Sequence, residues 1–262
     1  MSPLTLAAQN DTLVTSAAAR AIEPARTVRM DATVVPVAIH PPTDSSLLLD
    51  AVRVLHRLLR HAEAAAGSTA YHRHLKCATR RAMAIAHLAP QKTARRRACY
   101  PALLQLTKAT ATYATCALAN LECLPSTAVR DRLRAQLTTL LPRVAQVTDQ
   151  TTRRVLLDVA VPADEKLVSL FEAHADILVK DRRDTYDGHR IFLTTGDSGL
   201  IFDCAIPKGN PADVTWTVPL VRRQERLFGR PPRQVTFDGA FASLTNLTDT
   251  KALGVNDVCF AK

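Results

Sequence analysis

The chain of 262 residues is poor in glycine, with 8, and in aromatic side chains, at 5% of the total. So few glycines exclude a collagen-like chain, Gly-rich linkers and an all-β fold built on tight glycine turns. No apolar run approaches the ~20 residues that a helix needs to cross a bilayer, so no membrane partner is expected. The N-terminus, MSPLTLAAQNDTLV, has no basic segment leading into an apolar core and reads as carrying no signal peptide. The six cysteines, Cys77, Cys99, Cys116, Cys123, Cys204 and Cys259, form no CxxC pair. The expectation is a cytoplasmic protein with reduced, mostly buried thiols. His72 and His74 lie two apart and His56, His61 and His87 stand alone, so nothing like HExxH argues for zinc.

What the sequence does have is apolar content, at 47%, and positive charge, with 34 Lys and Arg against 24 Asp and Glu. That is enough apolar material for a packed core. The charge is unevenly spread. Residues 1–50 hold 3 basic and 5 acidic side chains, residues 51–160 hold 18 and 5, and residues 161–262 hold 13 and 14. A block of one sign suits a polyanion, because each Lys or Arg that neutralises a phosphate releases a condensed counterion. A solvated helical face would carry the same charges.

Residues 27–39 are rich in β-branched side chains and predict a strand, stopped by HPPTDSS. From Ser45 the period changes: Leu48, Val52, Leu55, Leu59 and Ala62 recur at spacings of four and three, the stripe of an amphipathic helix, with Asp44, Ser45 or Ser46 as its N-cap. Helices continue over 71–88, 100–123 and 127–158, with breaks at Gly67 to Thr69, Pro90 and Leu124 to Pro125, and a kink or break at Pro142. After Pro162 short aliphatic runs alternate with turns. DILVKD reads as a strand; 189–195 and 199–206 read as a hairpin turned at Gly196, Asp197 and Ser198. An amphipathic helix over 211–228 with Trp216 in its core face, a strand over 233–237, a helix over 243–253 stopped by Gly254, and a strand over 255–261 complete the list.

Two acids fall in or at the end of apolar strands, Asp31 in RMDATVV and Asp238 in VTFDGAFAS. A carboxylate buried there needs a cation, a metal or several donors. If the two strands are neighbours, the acids converge and offer oxygen ligands of the kind Mg²⁺ takes; a structural Asp capping a turn fits the same residues.

The stretch RMDATVVPVAIHPPTDSSLLLDAVRVLHRLL resembles the first-aspartate region of bacterial insertion-sequence DDE transposases of the ISNCY type, in which Asp, Thr-Val-Val, Ile-His, Pro-Thr-Asp-Ser and Leu-Leu recur in this order. The segment from KLVSLFEAHADILVKD through IFLTTGDSGLIFDCAIPKGNPAD to RQVTFDGAFAS is similar to the hairpin and second-aspartate region of the same family. The resemblance implies an α/β fold, an RNase H-like mixed sheet interrupted by a large all-α insertion after the first strand. It divides the chain into 1–44 with the first core strand, a basic helical insertion over 45–160, and the rest of the core over 161–262. It further implies Asp31 on the first strand and Asp238 on the fourth as catalytic metal ligands for Mg²⁺ or Mn²⁺. Double-stranded DNA at transposon ends would be the substrate, cleaved and joined in a bacterial, nucleoid-associated setting.

The family's third carboxylate is a Glu on a helix after the fifth strand, whereas the last Glu here is Glu225, ahead of Asp238; Asp249 and Asp257 are the only later acids. The chain therefore reads as a transposase fragment with two of three ligands, impaired in catalysis, or as a non-catalytic DNA-binding or regulatory fragment that forms oligomers with itself or with an intact transposase. Expected phosphate contacts are Arg95, Arg96, Arg97, Arg153 and Arg154 in the helical block and Arg182, Arg183 and Arg190 beside the hairpin. His40 and His189 are placed by the same patterns near the metal site.

Overall fold

The structure, a computed structural model, describes residues 3–67, 71–89, 91–180 and 184–261. In chain order its elements are α1 (Pro3–Ala19), β1 (Thr27–Pro36), α2 (Asp44–Ala66), α3 (Leu75–Ala86), α4 (Thr93–Glu122), α5 (Ala128–Thr151), β2 (Asp176–Lys180), β3 (Asp184–Gly196), β4 (Ile201–Ala205), α6 (Thr217–Phe228), β5 (Gln234–Asp238), α7 (Leu244–Ala252) and β6 (Asp257–Ala261). They form two compact units, Met1–Pro36 with Leu178–Lys262, and Val37–Ile177. Residues 161–177, expected with the sheet, thus group with the helices.

The first unit is mixed α/β around one mixed sheet. Its strand order is β2-β3-β1-β5-β6, with β4 also on β3. β1 runs antiparallel to β3 and parallel to β5, and β5 runs parallel to β6. Alternation sends Val28 and Met30 of β1, Phe192 of β3, Phe202 of β4, and Val235 and Phe237 of β5 into one core, which Leu220 and Val221 of α6, Phe241 and Val14 of α1 close. Burying each such side chain contributes roughly 1.5–3 kcal/mol. Trp216 lies in a 3-10 turn ahead of α6 and stacks on Phe192 with ring centroids 4.8 Å apart.

The hairpin between β3 and β4 turns at Gly196–Gly199, where Gly199 N donates to the Gly196 carbonyl and Gly199 takes φ +81°, open to glycine at little steric cost. α7 stops at a left-handed Gly254, φ +92°, as expected. α1 has no counterpart in the sequence reading.

The second unit is a helical bundle. Leu48, Val52, Leu55, Leu59 and Ala62 of α2 are all fully buried against α3, α4 and α5. Thr43, not Asp44, Ser45 or Ser46, caps α2: its side chain accepts from Ser46 N while Ser46 Oγ accepts from Thr43 N, a reciprocal box. Asp44 instead opens the helix. α4 begins at Thr93, earlier than expected, and carries Pro101 within it. α5 runs through Pro142 without a break; burial of Leu137, Leu140, Val144 and Val147 on either side outweighs the ~3 kcal/mol that an interior proline costs. It ends in a π turn over Thr152–Leu156. The expected breaks at Ser68, Thr69 and Pro90 fall outside the described residues. The cysteines depart from expectation. They are free, but five are exposed and Cys99 is half-buried; Cys77, Cys99, Cys116, Cys204 and Cys259 occupy outward positions of their helix or strand, and Cys123 lies in the turn after α4.

Candidate functional site

The parallel register of β1 with β5 ends on the pair Met30 and Phe237. The next residues on the two strands are Asp31 and Asp238, at the C-terminal end of β5, and neighbouring strands lie about 4.8 Å apart. Met30 and Phe237 point into the core, so their successors take the opposite face of the sheet. There Asp31 is half-exposed and Asp238 exposed. Burial is therefore not what makes these acids unusual, contrary to the sequence reading. What distinguishes them is adjacency.

Asp238 ends its strand because its own Oδ1 accepts from Gly239 N at 2.6 Å and starts the 3-10 turn Gly239–Phe241. Gly239 packs closely on β6: a Cβ there would meet the Ala261 carbonyl at 3.0 Å. The Asp238 Oδ2 accepts no hydrogen bond among the described residues. Asp31 is more occupied. Its Oδ1 accepts from Ala32 N at 2.8 Å and its Oδ2 from the Arg29 guanidinium at 3.1 Å. Sequence reasoning missed Arg29, although a spacing of two on a strand places it on the Asp31 face.

Asp257 pairs with Gln234, four residues or about 13 Å along β5 from Asp238, and Asp249 is on α7. Among the described residues no group of three or more His, Cys, Asp or Glu is arranged to hold a metal. Two adjacent carboxylates with a free oxygen still suit Mg²⁺, which binds through one or two carboxylates and completes its shell with water and substrate phosphate.

The remaining candidates scatter. Arg190 pairs on β3 with Val34, hence on the face away from Asp31, where it bonds Asp213 and the Pro211 carbonyl. It is committed to that carboxylate and is not a free phosphate contact. His189 pairs with Val35, on the Asp31 face but about 13 Å along the strand. Arg182 and Arg183 lie outside the described residues.

In the helical unit, His40 is held by Asp50 at 2.8 Å, which raises its pKa, helped by the Pro41 carbonyl; its ring is thus engaged by α2. Arg153 pairs with Glu165 at 2.7 Å and Arg154 with Asp44 at 3.2 Å. Arg97 bonds the Leu156 carbonyl across the π turn. Of the expected contacts here, Arg95 and Arg96 alone have no partner among the described residues.

Also among the described residues, no helix is long and apolar enough to cross a membrane. Protein-family models, curated proteins and solved structures were all compared with this chain, and none matches.

Proposed function

We propose that this chain acts on double-stranded DNA as a DDE-type transposase of the RNase H-like class, with Asp31 and Asp238 as two ligands of a Mg²⁺ or Mn²⁺ site. The observation that carries the reading is the β1/β5 register, since such a core requires its first and fourth strands to be neighbours with their acids side by side. Leaving β2 aside, β1, the β3–β4 hairpin, α6, β5, α7 and β6 follow one another in the order the family resemblance implies. The helices between β1 and the hairpin occupy the place of the implied insertion.

Bound there, the metal would polarise a scissile phosphodiester and activate water or a 3′-hydroxyl for attack on phosphorus. The protein's own part is narrower. Asp31 and Asp238 present oxygens from two neighbouring strands.

A second reading, DNA binding without catalysis, is favoured by Arg29, which occupies Asp31, and by the lack of a third acid beside the pair among the described residues. Incubating the full chain with labelled duplex and Mg²⁺ or Mn²⁺ separates the readings. Cleavage that disappears in Asp31→Ala and in Asp238→Ala is expected for the transposase. Binding without cleavage selects the second reading, and absence of both overturns the DNA assignment.

A further inference from the structure

Two hollows adjoin between α2 and α5, of about 470 and 650 Å³, and both are lined by Arg57, Leu58, Arg132 and Gln136. Arg143 adds a cation to the lining of one and His61 to that of the other, and no acid lines either. The alignment follows from helical spacing. Arg57 and His61 are four apart on α2, while Arg132, Gln136, Thr139 and Arg143 recur at four, three and four on α5 and share one face. From Arg132 to Arg143 the helix rises about 16 Å.

Arg143 is engaged within the protein, donating to the Leu170 carbonyl at 2.7 Å, but the two arginines shared by both hollows are not. Arg57 and Arg132 are exposed and have no hydrogen bond or ion pair among the described residues. Their neighbours differ: Arg53 pairs with Asp50, Arg130 bonds the Ala65 carbonyl and Arg134 pairs with Asp131.

The floor decides what kind of ligand fits. Leu58, Leu133 and Leu140 are 3%, 3% and 7% exposed, already buried in the bundle core. An apolar helix laid on them would bury little new surface. The exposed apolar side chains Val129 and Phe171 line different hollows instead of forming one strip. Guanidinium forks on both walls, with no carboxylate between them, match phosphate oxygens.

We infer that the trough between α2 and α5 grips the sugar-phosphate backbone of duplex DNA, with Arg57 and Arg132 as phosphate contacts from opposite walls. This rests on the DNA reading above and moves its main contact away from Arg95–Arg97.

The test measures duplex affinity of the full chain against salt. In the double variant Arg57→Gln, Arg132→Gln, the slope of log affinity against log salt should fall by about 2 and affinity at 0.1 M salt by about tenfold or more. The pair Arg57→Lys, Arg132→Lys should keep the slope. Arg95→Gln, Arg96→Gln, Arg97→Gln should change it less than the trough variant. An unchanged slope in the trough glutamine variant, with wild-type binding intact, overturns this inference and leaves the DNA reading standing. Capture of an acidic helical peptide by the trough with no loss of duplex affinity in that variant overturns it too. A wild-type chain that fails to bind duplex removes the DNA reading and the trough with it.

Discussion

Arg29 and Asp31 sit two residues apart on one strand and join through a 3.1 Å ion pair, on the face that also bears Asp238. The guanidinium is 71% exposed and the carboxylate 45%, so the pair contributes little to stability. It does compete for the oxygen that a cation would use. Arg29→Gln should therefore tighten Mn²⁺ binding several-fold while leaving the unfolding midpoint nearly unchanged. Titration calorimetry of the two proteins checks this; equal affinities would show that Arg29 does not guard the site.

Asp44 and Arg154 form an asymmetric pair. The Asp44 side chain is 10% exposed and that of Arg154 42%. Burial raises the Asp44 pKa, against the pull of Arg154 and Thr151. Removing the arginine leaves a buried carboxylate with only the Thr151 hydroxyl at 3.5 Å and the charge of Lys166 to offset it, whereas removing the carboxylate leaves an arginine that can reach water. Arg154→Ala should cost about 2–3 kcal/mol and Asp44→Asn less than about 1 kcal/mol in denaturant titrations.

His40 gives the helical unit a pH dependence of known sign. Hydrogen bonds to Asp50 and then to the Pro41 carbonyl raise its pKa above the ordinary 6.5, with desolvation and Arg53 opposing. Glu172 lines a small hollow together with His40 and Asp50. A folded pKa above the unfolded one means that the stabilisation is complete below about pH 6.5 and is lost as pH rises through the folded value. Asp50→Asn should flatten this part of the stability profile, followed by helical circular dichroism during denaturation at several pH values.

Gly196 and Gly199 flank one turn but resist substitution for different reasons. A Cβ on Gly196 would lie 2.3 Å from the Phe202 ring and 2.5 Å from the Glu23 carboxyl carbon. Glu23 is itself buried and accepts from Ser198 N and Ala25 N. A Cβ on Gly199 meets nothing within 4 Å, and its strain comes from φ +81° alone. Gly196→Ala should lower stability by about 2–3 kcal/mol and Gly199→Ala by about 1 kcal/mol, read from thermal unfolding.

Regular patterns made most of the fold legible. The stripe from Leu48 to Ala62, the β-branched run of β1 and the stop at Gly254 each carry their cause locally. α1 escaped notice because it has no stripe to read: Leu6 and Leu13 are exposed and Val14 is its one buried large side chain among the described positions. Thr43 was passed over as a cap because Asp44, Ser45 and Ser46 are equally good cap types, and tertiary pairing with Arg154 claims Asp44. At the site, Asp31 and Asp238 could be chosen from their strands, but the register that makes them neighbours is a property of the sheet. Arginine partners were the least legible. Arg97 meets Leu156, Arg154 meets Asp44 and Arg190 meets Asp213 across distances in sequence that composition does not encode.

Thr195 of β3 donates to the carbonyl of Arg29 on β1 across 166 residues. That seam has a cost in time. The helical unit is built from contacts among α2, α3, α4 and α5, which follow one another in the chain, and can form as soon as its own residues are available, whereas β1 must wait for β3. During synthesis the first strand is finished long before its antiparallel partner leaves the ribosome, and until then it presents an open edge. The two aspartates meet only after β5 has docked on β1, so the carboxylate pair is among the last features to exist and marks a sheet whose assembly is nearly done.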